Sequence, residues 1–268
     1  MASHWDQSKA LVWLAWSLSP IWDPAEANDI SQELPPPSRS LFLDRLAAGT
    51  EIGPHDNFDL NDEIMHSGGN GHYFSTGKAF STKLLLDDND CAEGDPCEQQ
   101  LKDYWMDFKG ADLHLFEQLS FTVDGTGHVD MVFLPVNDNT VIIGEWAEED
   151  RWESKRIADD MAAYMIDEGY TVLRTPNWST CCSEFGPWRN HYTYTNAIIA
   201  NDVVVISSYG VPQDEVALKV FEAAFPEKTI VQVDSSIIIQ RSGALHCMSQ
   251  HVYDCDGSRR PSSKSGKR

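Results

Sequence analysis

Apolar positions along this chain recur in a fixed order. Residues 72–86, "HYFSTGKAFSTKLLL", hold two short apolar runs broken around Gly77. Residues 98–108, "EQQLKDYWMDF", read as a helix, and 111–119, "ADLHLFEQL", as a strand. The order returns at 128–146, "HVDMVFLPVNDNTVIIGEW", where Asn137-Asp138-Asn139 predicts a hairpin turn. A helix is expected over 150–167, with Ile157, Met161, Tyr164 and Met165 on one face; Gly169 stops it and "YTVLR" follows as a strand. The third hairpin, 192–210, turns at Asn201-Asp202 and leads into a helix over 213–225 with Ala217, Val220, Phe221 and Ala224 at helical spacing, then the strand "KTIVQVD". One such ββαβ unit cannot bury its own sheet, so the pattern predicts an α/β fold of ββαβ repeats set around an axis, a pseudo-symmetric propeller. An ordinary α+β domain with chance regularity is the plainer alternative.

The N-terminal "KALVWLAWSLSPIWDPAEA" loosely imitates a signal peptide, with a small-x-small end at Ala25-Glu26-Ala27. The lead-in carries Asp6 and little positive charge, and Trp5, Trp13 and Trp16 suit a core strand, which is the reading adopted. No stretch is long and apolar enough to span a bilayer. One domain is expected over residues 1–255, and the polar, Pro/Ser-rich end, 256–268, is expected to be a disordered basic tail.

Composition changes this picture in two ways. A formal charge of −22 argues against nucleic acid and anionic membrane as partners and would attract a cationic substrate; for charge alone a plain acidic surface is the better explanation. Of the cysteines Cys91, Cys97, Cys181, Cys182, Cys247 and Cys255, the first two bracket an acidic loop, "CAEGDPC", and either close a local disulfide in an oxidising compartment or stay reduced. No paired Cys-x-x-Cys pattern marks a zinc site, and no metal or other cofactor is expected.

The chemistry concentrates in two motifs. "DGTGHVDM", 124–131, sets His128 and Asp130 two apart at what reads as a strand start, hence on one face, after a Gly-rich turn. "SGALHCMSQ", 242–250, places Cys247 after a glycine-bearing turn, near the apparent end of regular structure. A thiol nucleophile, an imidazole and a carboxylate that holds a cation make a workable catalytic set. Alone, a buried structural thiol and a surface His-x-Asp pair explain the same residues.

At these residues the chain resembles the agmatine deiminase and bacterial peptidylarginine deiminase family of guanidine-modifying enzymes. "DGTGHVDM" with its hairpin, "YTNAIIANDVVVISSYGVPQDEVALKVFEAAFP" and "GALHC" carry the likeness, which runs from about His66 to Gln250, with a looser match at "SHWDQSKALVWLAWS". The resemblance implies a pentein fold, a five-bladed α/β propeller, here with shortened N-terminal blades. It implies Cys247 as nucleophile, His128 as general acid/base, and Asp130 with Asn70 of "HSGGN" as substrate contacts. His246 is expected to be structural, since adjacency makes it hard for it to share the nucleophile's direction. The family's Trp-x-Arg-Asp-type motif is absent; only about fifty residues separate Trp16 from "HSGGN", and Asp56, Asp59 and Asp62 lie between them. Agmatine deiminases typically have Glu-Gly-Gly where this chain has Ser67-Gly68-Gly69, and "GGNIHC" where it has "GALHC", so an arginine-containing peptide is the expected substrate, with a small guanidino compound such as agmatine as the alternative. A catalytically silent guanidinium-binding domain is the reading from another class. Extracellular or periplasmic location follows from the peptidylarginine branch, with the cytoplasm as the alternative.

Overall fold

The structure is a computed structural model that describes residues 10–14, 64–147, 152–181 and 189–253. Trp5, Trp16, the Ala25–Ala27 segment, Asp56, Asp59, Asp62, Cys182, Cys255 and the 256–268 tail lie outside the described residues. The described residues from Met65 on, with Ala10–Leu14, fall in one compact unit.

Strand β1 is Ala10–Leu14, so Trp13 does sit in a strand. The first ββαβ unit follows: β2 (His72–Tyr73), β3 (Lys78–Thr82), helix α1 (Pro96–Tyr104) and β4 (Asp112–Phe116). The second runs β5 (Phe133–Asn137), β6 (Thr140–Glu145), α2 (Trp152–Asp167) and β7 (Thr171–Pro176). After a small antiparallel pair, β8 (Trp178–Thr180) with β9 (Asn190–Tyr192), the third unit is β10 (Ile198–Ala200), β11 (Val203–Ser208), α3 (Gln213–Ala224) and β12 (Thr229–Asp234). In each unit the hairpin is antiparallel and the helix returns the chain to a parallel third strand, giving three sheets with the same order. The hairpin–helix–strand repeat expected from the apolar pattern is therefore present three times. Among the described residues the three sheets stay separate and no sheet closes on itself, so the architecture is mixed α/β.

Helix α2 shows why these residues fold as they do. Ile157, Ala158, Met161, Ala162 and Met165 fall three and four apart and are buried, while Lys155–Asp159 and Arg156–Asp160 pair on the wet side at i,i+4. The core joins this face to the inner faces of the strands, with Phe80, Phe116 and Phe133 in mutual ring contact and Val141, Ile142 and Ile143 fully enclosed.

Two local expectations are corrected. Residues 129–131 form a 3-10 turn with His128 as its N-cap, and the strand begins only at Phe133. The reason is tertiary: the Val129 amide donates to the side-chain oxygen of Asn70, 59 positions away, and the Val132 amide turns back to Val129 O. Regular structure also continues past the nucleophile motif, because β13 (Ser249–Tyr253) pairs antiparallel with β1, Leu14 opposite Ser249.

Of the cysteines, Cys91 and Cys97 are joined in a disulfide, the first of the two states open to them, and Cys181 is disulfide-bonded as well. Cys247 is free. No helix among the described residues is long and apolar enough to cross a membrane, and no His/Cys/Asp/Glu group among them is arranged to hold a metal.

Candidate active site

The fold brings Cys247, His128 and Asp130 together around one carboxylate oxygen. The Cys247 sulfur lies 3.7 Å from Asp130 Oδ2. The same oxygen and His128 Nδ1 both crowd the α-carbon of Gly69: a methyl group built there would come within 2.7 Å of Oδ2 and 2.6 Å of Nδ1. Only glycine leaves room for this approach, which accounts for the glycine of "HSGGN" at this point. Asp130 is fully buried, and its other oxygen, Oδ1, has no hydrogen-bond partner. A buried, half-satisfied carboxylate is costly by itself, so it is poised for a cation that brings N–H donors.

Its backbone is held from behind. Thr195 Oγ1 donates to Asp130 O at 3.1 Å, and Asn177 Nδ2 to Met131 O at 3.3 Å. Asn70 is buried, and its Oδ1 accepts from the Thr82 amide, the Thr82 hydroxyl and the Val129 amide. Its oxygen is thus spent on clamping β3 to the turn that carries His128 and Asp130.

Asn196 was not singled out by sequence reasoning, although it stands in the quoted "YTNAIIAN". It is buried, and its Oδ1 accepts from the amides of Ala244 (3.1 Å), His246 (3.0 Å) and Cys247 (3.4 Å), while Nδ2 donates to the Cys247 sulfur at 3.1 Å. One side chain therefore shapes the 244–247 loop and donates a hydrogen bond to the Cys247 sulfur. Gly243 serves the same loop, since a methyl there would press on Cys247 Cβ and Sγ at 3.0 Å. Asn196→Asp keeps the acceptor but loses the donor to sulfur, and is expected to fold while its Cys247 alkylates more slowly. Asn196→Ala leaves the Ala244 and Cys247 amides unanswered, while the His246 amide keeps Asn196 O at 3.3 Å, and is expected to lose about 3 kcal/mol of stability. Iodoacetamide labelling and thermal melts check both.

His246 departs from expectation. It does not face away: its Nδ1 lies 2.7 Å from Asp130 Oδ2, the oxygen nearest the nucleophile. Adjacent residues share a target here because His246–Met248 form a 3-10 turn, with Leu245 as its N-cap, and not an extended strand.

Electrostatically, the site without ligand disfavours the thiolate. Burial first, then the negative charge of Asp130, pushes the Cys247 thiol up to about 12, and the Asn196 donor opposes them. The residue as a whole is nonetheless exposed to solvent. Burial lowers His128, with Asp130 acting the other way, which favours a neutral imidazole at neutral pH. Asp124, buried and tied to Thr126, is pushed up to about 7 by burial and adds to the field at Cys247.

In this mixed α/β chain a free cysteine, a histidine and a buried aspartate with one unpartnered oxygen thus lie close together. A model of the Porphyromonas-type peptidyl-arginine deiminase family matches residues 45–252, and the chain belongs to that family. A putative agmatine deiminase from Streptomyces coelicolor is 30% identical over 129 residues, covering 46% of this chain and 38% of the relative. One from Mycoplasma capricolum is 23% identical over 215 residues, covering 72% and 57%. Among solved structures, C. jejuni agmatine deiminase with substrate bound matches with a TM-score of 0.61 at 19% identity, over 70% of this chain and 56% of that one. The putative arginine deiminase from Porphyromonas gingivalis matches at 0.61 and 19%, over 71% and 57%. The chain spans between about two fifths and three fifths of the length of these relatives.

Proposed function

We propose that the protein is a thiol-dependent hydrolase that deiminates the guanidino group of arginine within a peptide, yielding citrulline and ammonia. The observation that carries this reading is the buried Asp130 carboxylate with an unpartnered oxygen, 3.7 Å from a free cysteine. A guanidinium is planar and cationic, and its N–H fork suits a carboxylate. Once bound, its charge offsets that of Asp130 and favours the thiolate, so activation of Cys247 is coupled to substrate arrival.

Neutral His128 takes the thiol proton, and the thiolate attacks the guanidinium carbon. His128 returns the proton to the departing nitrogen, and ammonia leaves a covalent amidino-cysteine. A water then gives a proton to His128 and its oxygen to the same carbon, and the C–S bond breaks to release the ureido product and the thiol. Asn70 reaches substrate only through its amide nitrogen, its oxygen being engaged within the protein. The units are read as blades of a pentein-type propeller, within one domain over 1–255.

The family match and Ser67, where agmatine deiminases carry an acid, favour the peptide substrate. The names of the curated relatives favour agmatine as the second reading. Ammonia release from a blocked arginine peptide and from agmatine at equal concentration, with Cys247→Ala as blank, decides between them. Faster release from the peptide is expected; faster release from agmatine reverses the substrate, and none from either supports a silent guanidinium-binding domain.

A further inference from the structure

Three imidazoles surround Asp130, and they differ in what they touch. His128 Nδ1 is buried without a hydrogen-bond partner. His72 is half-buried and its ring stands 5.9 Å from that of His246, with desolvation and the neighbouring His246 lowering it to about 4, which favours a neutral ring. His246 alone among the three has a hydrogen bond with the Asp130 carboxylate, Nδ1 to Oδ2 at 2.7 Å. A carboxylate oxygen accepts, so this contact is a hydrogen bond in the tautomer with the proton on Nδ1. The ring is also fixed from its own backbone, since the His246 amide donates to Asn196 Oδ1 at 3.0 Å and Ser249 Oγ donates to His246 O.

Oδ2 is therefore shared between His246 and the space beside the Cys247 sulfur, while Oδ1 is left without a partner. We infer that His246 is a positioning residue for guanidinium recognition: its Nδ1–H pins the Asp130 carboxylate by Oδ2, reserves Oδ1 for the substrate, and draws charge from the oxygen that faces the nucleophile. A bidentate guanidinium needs a carboxylate plane held in one orientation, and nothing else described bonds to either Asp130 side-chain oxygen except the weak contact from Cys247. The nucleophile also gains, because a carboxylate oxygen already accepting a strong hydrogen bond repels a neighbouring thiolate less. The inference rests on Asp130 as the guanidinium grip, not on turnover.

The test uses the full chain without substrate first. The pH dependence of Cys247 alkylation by iodoacetamide is measured in the parent, His246→Ala and His246→Asn. The concentration of benzoyl-arginine amide that halves the alkylation rate is then measured for each. His246→Ala is expected to move the alkylation midpoint to higher pH, and to raise the protecting concentration roughly tenfold, the scale of one lost hydrogen bond to a charged group. His246→Asn, whose amide N–H reaches from nearly the place of Nδ1–H, is expected to recover most of both. An unchanged alkylation profile in a folded His246→Ala overturns the inference, and so does a loss that His246→Asn, folded by circular dichroism, fails to recover. If both shifts occur and no guanidine releases ammonia, the positioning role stands and the hydrolase reading falls.

Discussion

Asp130→Asn is expected to make Cys247 alkylate faster in the ligand-free protein while turnover falls by two to three orders of magnitude. The two effects come from one charge. Without substrate, Asp130 sits 3.7 Å from the sulfur and raises the thiol, so an uncharged amide lowers it and more thiolate is present at a given pH. In the proposed reaction the same charge is the partner of the guanidinium, and removing one member of a buried hydrogen-bonded charge pair costs on the order of 2–5 kcal/mol. A residue of purely structural importance would slow both reactions together. Iodoacetamide kinetics against pH and ammonia release, measured on the same preparation, read the two signs separately; slower alkylation in Asp130→Asn would remove Asp130 from the nucleophile's environment.

Gly69→Ala is expected to reduce turnover about a hundredfold with the fold intact. The added methyl would stand 2.6 Å from His128 Nδ1 and 2.7 Å from Asp130 Oδ2, closer than nonbonded atoms approach, so one or both side chains must shift. Displacements of about 1 Å in a reacting group are worth about that factor. The neighbouring Gly68 is the internal control, because a methyl there meets nothing within 4 Å and Gly68→Ala should leave turnover near that of the parent. Equal loss in both variants would show that loop flexibility, not contact with His128 and Asp130, is what the glycines supply.

The parts legible in the sequence were those set by local periodicity. Ile157, Met161 and Met165 define the buried face of α2 by spacing alone, and Asn201-Asp202 marks the hairpin turn of the third unit, with Asn201 in the left-handed region at φ 50°. Cys247, His128 and Asp130 were singled out through the resemblance carried by "DGTGHVDM" and "GALHC", since spacing alone left a buried thiol and a surface pair open. What stayed hidden depends on contacts between distant segments. Nothing near Val129 announces that its amide is claimed by Asn70, which turns an expected strand into a 3-10 turn. Asn196 gives no local sign that its carboxamide gathers three amides of the 244–247 loop. His246 follows the same rule, since its direction is fixed by a turn that alternation cannot foresee.

The pairing of β1 with β13 joins Ala10–Leu14 to the strand that begins two residues after the nucleophile. During synthesis this seam cannot form until nearly the whole described chain has left the ribosome, and its closure carries the entropy of a very long loop. Cys247 is thereby seated among the last of the described residues, and a half-made chain carries His128 and Asp130 without the thiol that the finished fold sets beside them.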